Sequence, residues 1–225
     1  MTGEIREVYK SYGKKAVLRG VTISAERGEA VALLGANGSG KSTLLRVLAG
    51  VLKPRSGEFL WDGVDLLRAR AERENTVAYV PQGTPLLEEL TALDNLRLWY
   101  DREALHASLD GGMLRRLGVH EFLKTPVSKL SGGMRKRLSI GCAIARDPQI
   151  LLLDEPTAAL DLTARERLLE YFSVHRERGG MLLLATHDLR ELEFCSRCYL
   201  LSGGVAAPYV YGGDAQRLAK ALEQP

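Results

Sequence analysis

Nine consecutive residues constrain this chain more than any others: Gly35-Ala36-Asn37-Gly38-Ser39-Gly40-Lys41-Ser42-Thr43, which fit G-x-x-x-x-G-K-[ST]. Their neighbours are the ones the motif requires. Residues 30–34 (Ala-Val-Ala-Leu-Leu) form a short apolar run suited to a buried parallel strand, and residues 44–50 continue with helical spacing and end on a glycine. Strand, glycine-rich loop and helix make a phosphate cradle. Glycines let successive backbone N–H groups turn inward, and the helix N-terminus adds its partial positive charge. The Lys41 ammonium can reach β- and γ-phosphates, and the Ser42 hydroxyl can ligate Mg2+. The stretch reads as a nucleoside triphosphate site.

A chain of 225 residues has ample material for one large domain, or for a core with a subdomain. Lys and Arg total 31 against 28 Asp and Glu, a net charge of +3, which is too mild to imply nucleic acid. No apolar run approaches the roughly 18 residues that span a bilayer, and residues 1–7 lack the apolar core of a secretory signal. Three cysteines give no disulfide framework. These features lead us to expect a soluble cytoplasmic protein.

Ahead of the phosphate loop, residues 5–9 and 21–25 read as short strands, the second alternating through Val21, Ile23 and Ala25. Tyr12 lies between them, either as an incidental exposed aromatic or as a ring placed to stack on a base. Residues 58–61 followed by Asp62-Gly63 read as a hairpin, so a small antiparallel layer is expected beside the nucleotide core. Residues 76–80 form another buried-type strand, stopped by Pro81 and followed by Gln82 at the carboxyl edge where α/β sheets bind ligands.

Residues 83–145 then change to helical character. Thr91 and Asp94 have capping-box spacing, Leu93, Leu96, Trp99 and Tyr100 suggest an apolar stripe, and Gly111-Gly112 and Gly118 punctuate it. Arg115-Arg116 and Arg135-Lys136-Arg137 read as solvated faces. Ser131 caps the last helix of the segment, and Gly132 and Gly133 leave its first N–H groups free, a second anion-binding device. Leu86, Leu87 and Leu90 look too apolar for a solvated loop and suggest a groove for a partner helix.

Residues 150–155 (Ile-Leu-Leu-Leu-Asp-Glu) deliver two carboxylates to a strand end. Strand alternation would point them to opposite sides, with Asp154 suited to the Mg2+ shell and Glu155 to the attacking water. Asp161 leads into a helix ending at Gly179-Gly180, and a last strand, residues 181–185, delivers His187 towards the γ-phosphate. Asp188 and Glu191 repeat the capping-box spacing. Cys195 and Cys198 have redox spacing but no complementary ligands, and read as packing.

These motifs together make the chain resemble an ATP-binding-cassette (ABC) ATPase, the nucleotide-binding subunit of an ABC transporter, from about residue 4 to residue 202. Gly35–Thr43 matches the Walker A loop, residues 150–155 match Walker B with its catalytic glutamate, and Leu130-Ser131-Gly132-Gly133 matches the family signature. The resemblance implies a P-loop, RecA-like α/β core (residues 1–82 and 148–225) with a mostly parallel sheet. It also implies a small antiparallel β-subdomain and a helical subdomain at residues 83–147. It implies ATP and Mg2+ as cofactors, with Glu155, His187, Gln82 and Lys41 catalytic and Ser42, Gln82 and Asp154 at the metal. Tyr12 (on the base), Gly35, Asn37, Gly38, Ser39, Gly40, Lys41, Ser42, Thr43, Ser131, Gly132, Gly133 and Asp161 would hold the nucleotide.

Because one phosphate loop already encloses its side of the nucleotide, Ser131–Gly133 would meet a phosphate held by a second chain. A homodimer, or a heterodimer with a related subunit, is expected on ATP binding. Integral membrane transporter subunits are the implied partners, with the chain peripheral on the inner face of the membrane. Met134 departs from the usual signature glutamine, and Ser-Gly-Gly-Met followed by Arg135-Lys136-Arg137 resembles subunits of ABC-2-type exporters. A soluble family member acting on other cellular machinery is the second reading.

Overall fold

The computed structural model describes residues 2–223. Its centre is a six-stranded sheet in the order β10-β9-β3-β8-β7-β6, comprising β3 (Ala30–Leu34), β6 (Val77–Val80), β7 (Ile150–Asp154), β8 (Met181–Ala185), β9 (Arg197–Ser202) and β10 (Val205–Tyr209). Only β10 runs antiparallel to its neighbour. Every residue of β3, β7 and β8 is buried, as the near-continuous aliphatic composition of parallel strands covered on both faces requires.

Alternation along these strands sorts two cores. Val31, Leu33, Ile150, Leu152, Leu183 and Ala185 face α1 (Lys41–Leu48) and a four-stranded antiparallel sheet. Leu151, Leu153, Leu182 and Leu184 face α6 (Gly132–Ala143), α7 (Leu162–Glu177) and the helices between β6 and α6. At about 1.5–3 kcal/mol for each fully buried aliphatic side chain, this two-sided burial anchors the strand ends that carry the polar residues.

The antiparallel sheet has the order β2-β1-β4-β5, with β1 (Thr2–Tyr12), β2 (Lys15–Glu26), β4 (Ser56–Trp61) and β5 (Val64–Asp65). The expected strands at 5–9 and 21–25 are segments of a much longer hairpin. Register shifts interrupt β1 and Glu7 sits at φ +46°, so the alternation that signals a strand is broken along its length. Gly57, at φ +119°, lets β4 close on this irregularity, since a Cβ there would lie 2.7 Å from Val8 Cα. The hairpin at Asp62-Gly63 forms as expected, both residues having positive φ.

A short helix, α2 (Arg70–Thr76), precedes β6 and takes Thr76 out of the expected strand. Only Thr76 of this helix is buried, so it carries no apolar stripe to announce itself. The following segment contains α3 (Ala92–Arg97), α4 (Arg102–Asp110), α5 (Met113–Arg116) and short 3-10 turns at Val119–Phe122 and Val127–Lys129. Thr91 caps α3 as its spacing predicts, accepting from Asp94 N at 3.2 Å and donating its hydroxyl to the Asp94 carboxylate at 2.5 Å. The expected stripe is shorter than drawn. α3 stops at Arg97 and Leu96 is fully buried, but Trp99 is 56% exposed. The chain finishes with α8 (Leu189–Phe194) between β8 and β9 and α9 (Ala215–Glu223) after β10.

Candidate functional site

The phosphate-loop candidates lie between β3 and α1. Gly35, at φ +151°, passes so close to β9 that a Cβ would meet Leu201 O at 2.5 Å. Ser39 N closes a turn onto Ala36 O at 3.1 Å, and α1 starts at Lys41 with no side chain capping its first N–H groups. Uncapped N–H groups and the helix dipole there are suited to an anion. Lys41 is 8% exposed and its Nζ donates to Gly35 O (2.6 Å) and Ala36 O (3.1 Å), which holds the ammonium against the loop. Burial lowers its pKa, opposed by the Glu155 and Asp154 carboxylates. Asn37 and Gly38 are exposed, Ser42 and Thr43 are half-buried at the start of α1, and Ser39 Oγ is buried without a hydrogen-bond partner.

Asp154 ends β7 opposite Ala185 of β8 and is 3% exposed. Its Oδ2 is buried and unpartnered, an arrangement suited to a hard cation. No group of three or more His, Cys, Asp and Glu side chains capable of holding a metal occurs among the described residues. A single carboxylate with hydroxyl support, completed by substrate phosphates and water, is the donor set Mg2+ accepts. Asp154 and Ser42 therefore fit Mg2+, with Gln82 within reach of the same strand end.

Glu155 departs from the expected geometry. It is not the next strand residue but a turn residue at φ +48°, its N–H donating to Ala185 O at 2.9 Å. Its direction is thus set by the turn and not by strand alternation. Gln82 Nε2 donates to Glu155 Oε2 at 3.0 Å, joining the residues that follow β6 and β7. His187 follows β8. Burial and the nearby Lys41 ammonium lower its pKa, favouring the neutral imidazole, while Glu155 opposes this. Gln82, Asp154, Glu155, His187 and Lys41 thus converge on the carboxyl edge of the parallel sheet.

Other candidates lie elsewhere. Ser131 caps α6, accepting from Met134 N at 3.3 Å, and Ser131 and Gly132 are exposed. Gly133 packs on the chain ahead of α7, where a Cβ would lie 2.9 Å from Ala159 O. Asp161 caps α7, accepting from Ala164 N at 2.8 Å. Among the described residues, Ser131–Gly133 share no hydrogen bond with Gly35–Thr43. Tyr12 ends β1 beside the hairpin turn, 47% exposed, with Lys10 Nζ 5.4 Å from its ring centroid.

Three expectations need correction. Arg135-Lys136-Arg137 is not a solvated face: Lys136 is 2% exposed and donates to Pro81 O at 2.9 Å and Asp154 O at 3.4 Å. Arg135 and Arg137 bind the Ser128 and Leu117 carbonyls at 3.2 and 3.0 Å. Leu86 and Leu90 are half-buried, leaving Leu87 exposed, because Leu86 packs on the core. The Asp188–Glu191 capping box is half formed. Asp188 accepts from Arg190 N and Glu191 N, but Glu191 is fully buried and accepts from Thr157 N at 3.2 Å. Charge and local spacing carried no signal for either Lys136 or Glu191, since both are claimed by distant backbone. Cys195 and Cys198 are free thiols whose pKa values burial raises, in keeping with packing.

No helix among the described residues is long and apolar enough to cross a membrane. The profile of the family described as "ABC transporter" matches residues 18–158. The linearmycin resistance ATP-binding protein LnrL of Bacillus subtilis (strain 168) is 32% identical over 206 residues, covering 89% of this chain and 66% of the relative. The chain spans 66%, 62% and 59% of the length of three curated relatives that it matches. An ATP-binding subunit of an ABC transporter superposes with a TM-score of 0.84 at 29% identity, covering 100% of this chain and 95% of that one. A dimeric ATP-binding cassette in a post-hydrolysis state, bound to ADP and Pi, gives a TM-score of 0.79 at 28% identity, covering 93% of this chain and 98% of that one. With the phosphate loop, the two carboxylates and the capped signature helix arranged on this fold, the chain belongs to the ABC transporter family of ATP-binding cassettes.

Proposed function

We propose that this chain binds MgATP, closes as a dimer around it and hydrolyses it, powering substrate movement through separate membrane subunits. The observation that carries this reading is the Gln82–Glu155 hydrogen bond, set beside the buried Asp154 oxygen that has no partner. The Gly38–Thr43 N–H groups and Lys41 hold the β- and γ-phosphates. Glu155 orients the attacking water and takes its proton as the water oxygen bonds to the γ-phosphorus and the β–γ bridging bond breaks, leaving ADP and phosphate. Neutral His187 donates to a γ-phosphate oxygen, and Gln82 keeps the Glu155 carboxylate aimed. Asp154 and Ser42 would hold Mg2+, which when bound would supply electrostatic stabilisation of the phosphates. Tyr12 stacks on the base.

The exposed Ser131-capped helix supports a two-fold dimer in which each nucleotide is enclosed by Lys41 of one chain and Ser131 of the other. The similarity to a dimeric cassette points the same way. Asp161, ahead of α7, completes the contact. Between β6 and the helical segment, a groove of about 460 Å3 lined by Tyr79, Pro85, Leu86, Trp99, Cys142 and Arg146 suits a short helix of the membrane partner, with Leu87 and Leu98 exposed on the same segment. That contact would hold the chain on the inner face of the membrane.

The test is to recover the tagged chain from native membranes. Co-purification of a multi-span membrane protein, lost about tenfold or more on Trp99→Glu with Leu87→Glu while the melting temperature holds, is the expected result. Recovery with soluble machinery, unaffected by these changes, would instead favour the non-transport reading.

A further inference from the structure

We infer that Lys136 is a positioning residue for hydrolysis, transmitting the placement of the Ser131-capped helix to Gln82 and Glu155. Its Nζ donates to two carbonyls, and each belongs to the residue immediately before a residue of the hydrolytic pair. Pro81 O, at 2.9 Å, precedes Gln82, and Asp154 O, at 3.4 Å, precedes Glu155. Those strand ends are neighbours, with Val80 paired to Leu153. The ammonium therefore bridges β6 and β7 where each releases its functional side chain. Asp154, Glu155 and Glu191 are the carboxylates that face it.

Position on α6 gives the bridge its leverage. The neighbouring arginines turn the other way: Arg135 bonds Ser128 O at 3.2 Å and Glu88 at 2.8 Å, and Arg137 bonds Leu117 O at 3.0 Å with its guanidinium 5.3 Å from the Phe122 ring centroid. One turn of one helix thus grips the helical segment with two side chains and the sheet edge with a third. A shift of α6 when Ser131–Gly133 engage phosphate must pull on the Pro81 and Asp154 carbonyls, and so on the 3.0 Å contact between Gln82 and Glu155. At that contact, small displacements of a water-orienting carboxylate cost rate rather than affinity.

This inference rests on the reading that Glu155 and Gln82 handle the attacking water. Lys136→Met keeps length and packing but removes the donor. The expected result is a fall in kcat of about 10- to 100-fold with MgATP Kd changed less than about twofold, the loss of a charge-assisted hydrogen bond being felt at the chemical step. Lys136→Arg, which retains charge and donors, should recover part of the rate. Combined with Gln82→Ala, the Lys136→Met loss in kcat should be strongly less than additive, since both act on one contact. Wild-type kcat in Lys136→Met, additive kcat losses, or a rate that only tracks weakened ATP binding and melting would overturn the positioning role. Should Lys136→Met fail to fold, Lys136→Leu, which likewise removes the donor and fills apolar volume, takes its place under the same criteria. Wild-type turnover in Glu155→Gln would instead condemn the underlying reading.

Discussion

Lys41 and Glu155 sit at the same sheet edge but should fail in different ways. Lys41 is 8% exposed and its ammonium donates to Gly35 O and Ala36 O at 2.6 and 3.1 Å, which holds it against the phosphate loop. Lys41→Ala removes a charge-assisted donor to the phosphates, worth about 1.5–3 kcal/mol, and unties two loop carbonyls. At about 1.4 kcal/mol per tenfold, MgATP affinity should weaken about 10- to 100-fold. Glu155→Gln keeps shape and can still meet Gln82 across their 3.0 Å contact by turning its amide. It loses only the base, so Kd should stay within about threefold while kcat falls by about 100- to 10,000-fold. Calorimetric titration with MgATP gives the affinities, and single-turnover phosphate release gives the rates. A Glu155→Gln chain with wild-type release, or a Lys41→Ala chain with unchanged affinity, would refute the division of labour.

Composite sites make a second prediction. Lys41→Ala and Ser131→Arg proteins should each be inactive, yet an equal mixture should regain about a quarter of wild-type turnover if the sites fire independently. About half the dimers are then mixed, each with one undamaged site. Where both sites must fire together, nucleotide-dependent dimerisation of Glu155→Gln by light scattering is the deciding measurement, and a strictly monomeric protein would rule the arrangement out. A third concerns acid. His175 is 6% exposed near the end of α7 with Nε2 buried and unpartnered, and burial lowers its pKa. The folded state therefore binds fewer protons than the unfolded chain. Stability should be full above pH about 6.5 and fall as pH drops from there towards the depressed folded value. Melting curves from pH 7.5 to 5 should show a shallower loss for His175→Gln than for wild type, and parallel curves would exclude this histidine as the cause.

The sequence by itself determined those parts whose causes are local. A run of aliphatic residues, a glycine-rich turn and a helical period placed β3, the phosphate loop and α1. The same logic placed β7 and β8, the caps at Thr91 and Ser131 and the helix that follows Asp161, because such signals are complete within a few residues. Tertiary structure decided everything that depends on a distant partner. Glu155 took a left-handed turn because its N–H bonds Ala185 O, which strand alternation could not foretell. Trp99 was left exposed while the next residue, Tyr100, packs on the core and donates its hydroxyl to Gly141 O, a choice that depends on distant neighbours. Lys136, outwardly one of three equivalent basic residues, was drawn inside by the Pro81 and Asp154 carbonyls, and Glu191 by Thr157 N. Burying an ionised or polar group is costly unless partners meet it, and here those partners lie 18 to 55 residues away in the chain. Composition and spacing can report that a charge exists, but only the packed fold supplies the carbonyls or amides that decide whether it faces water.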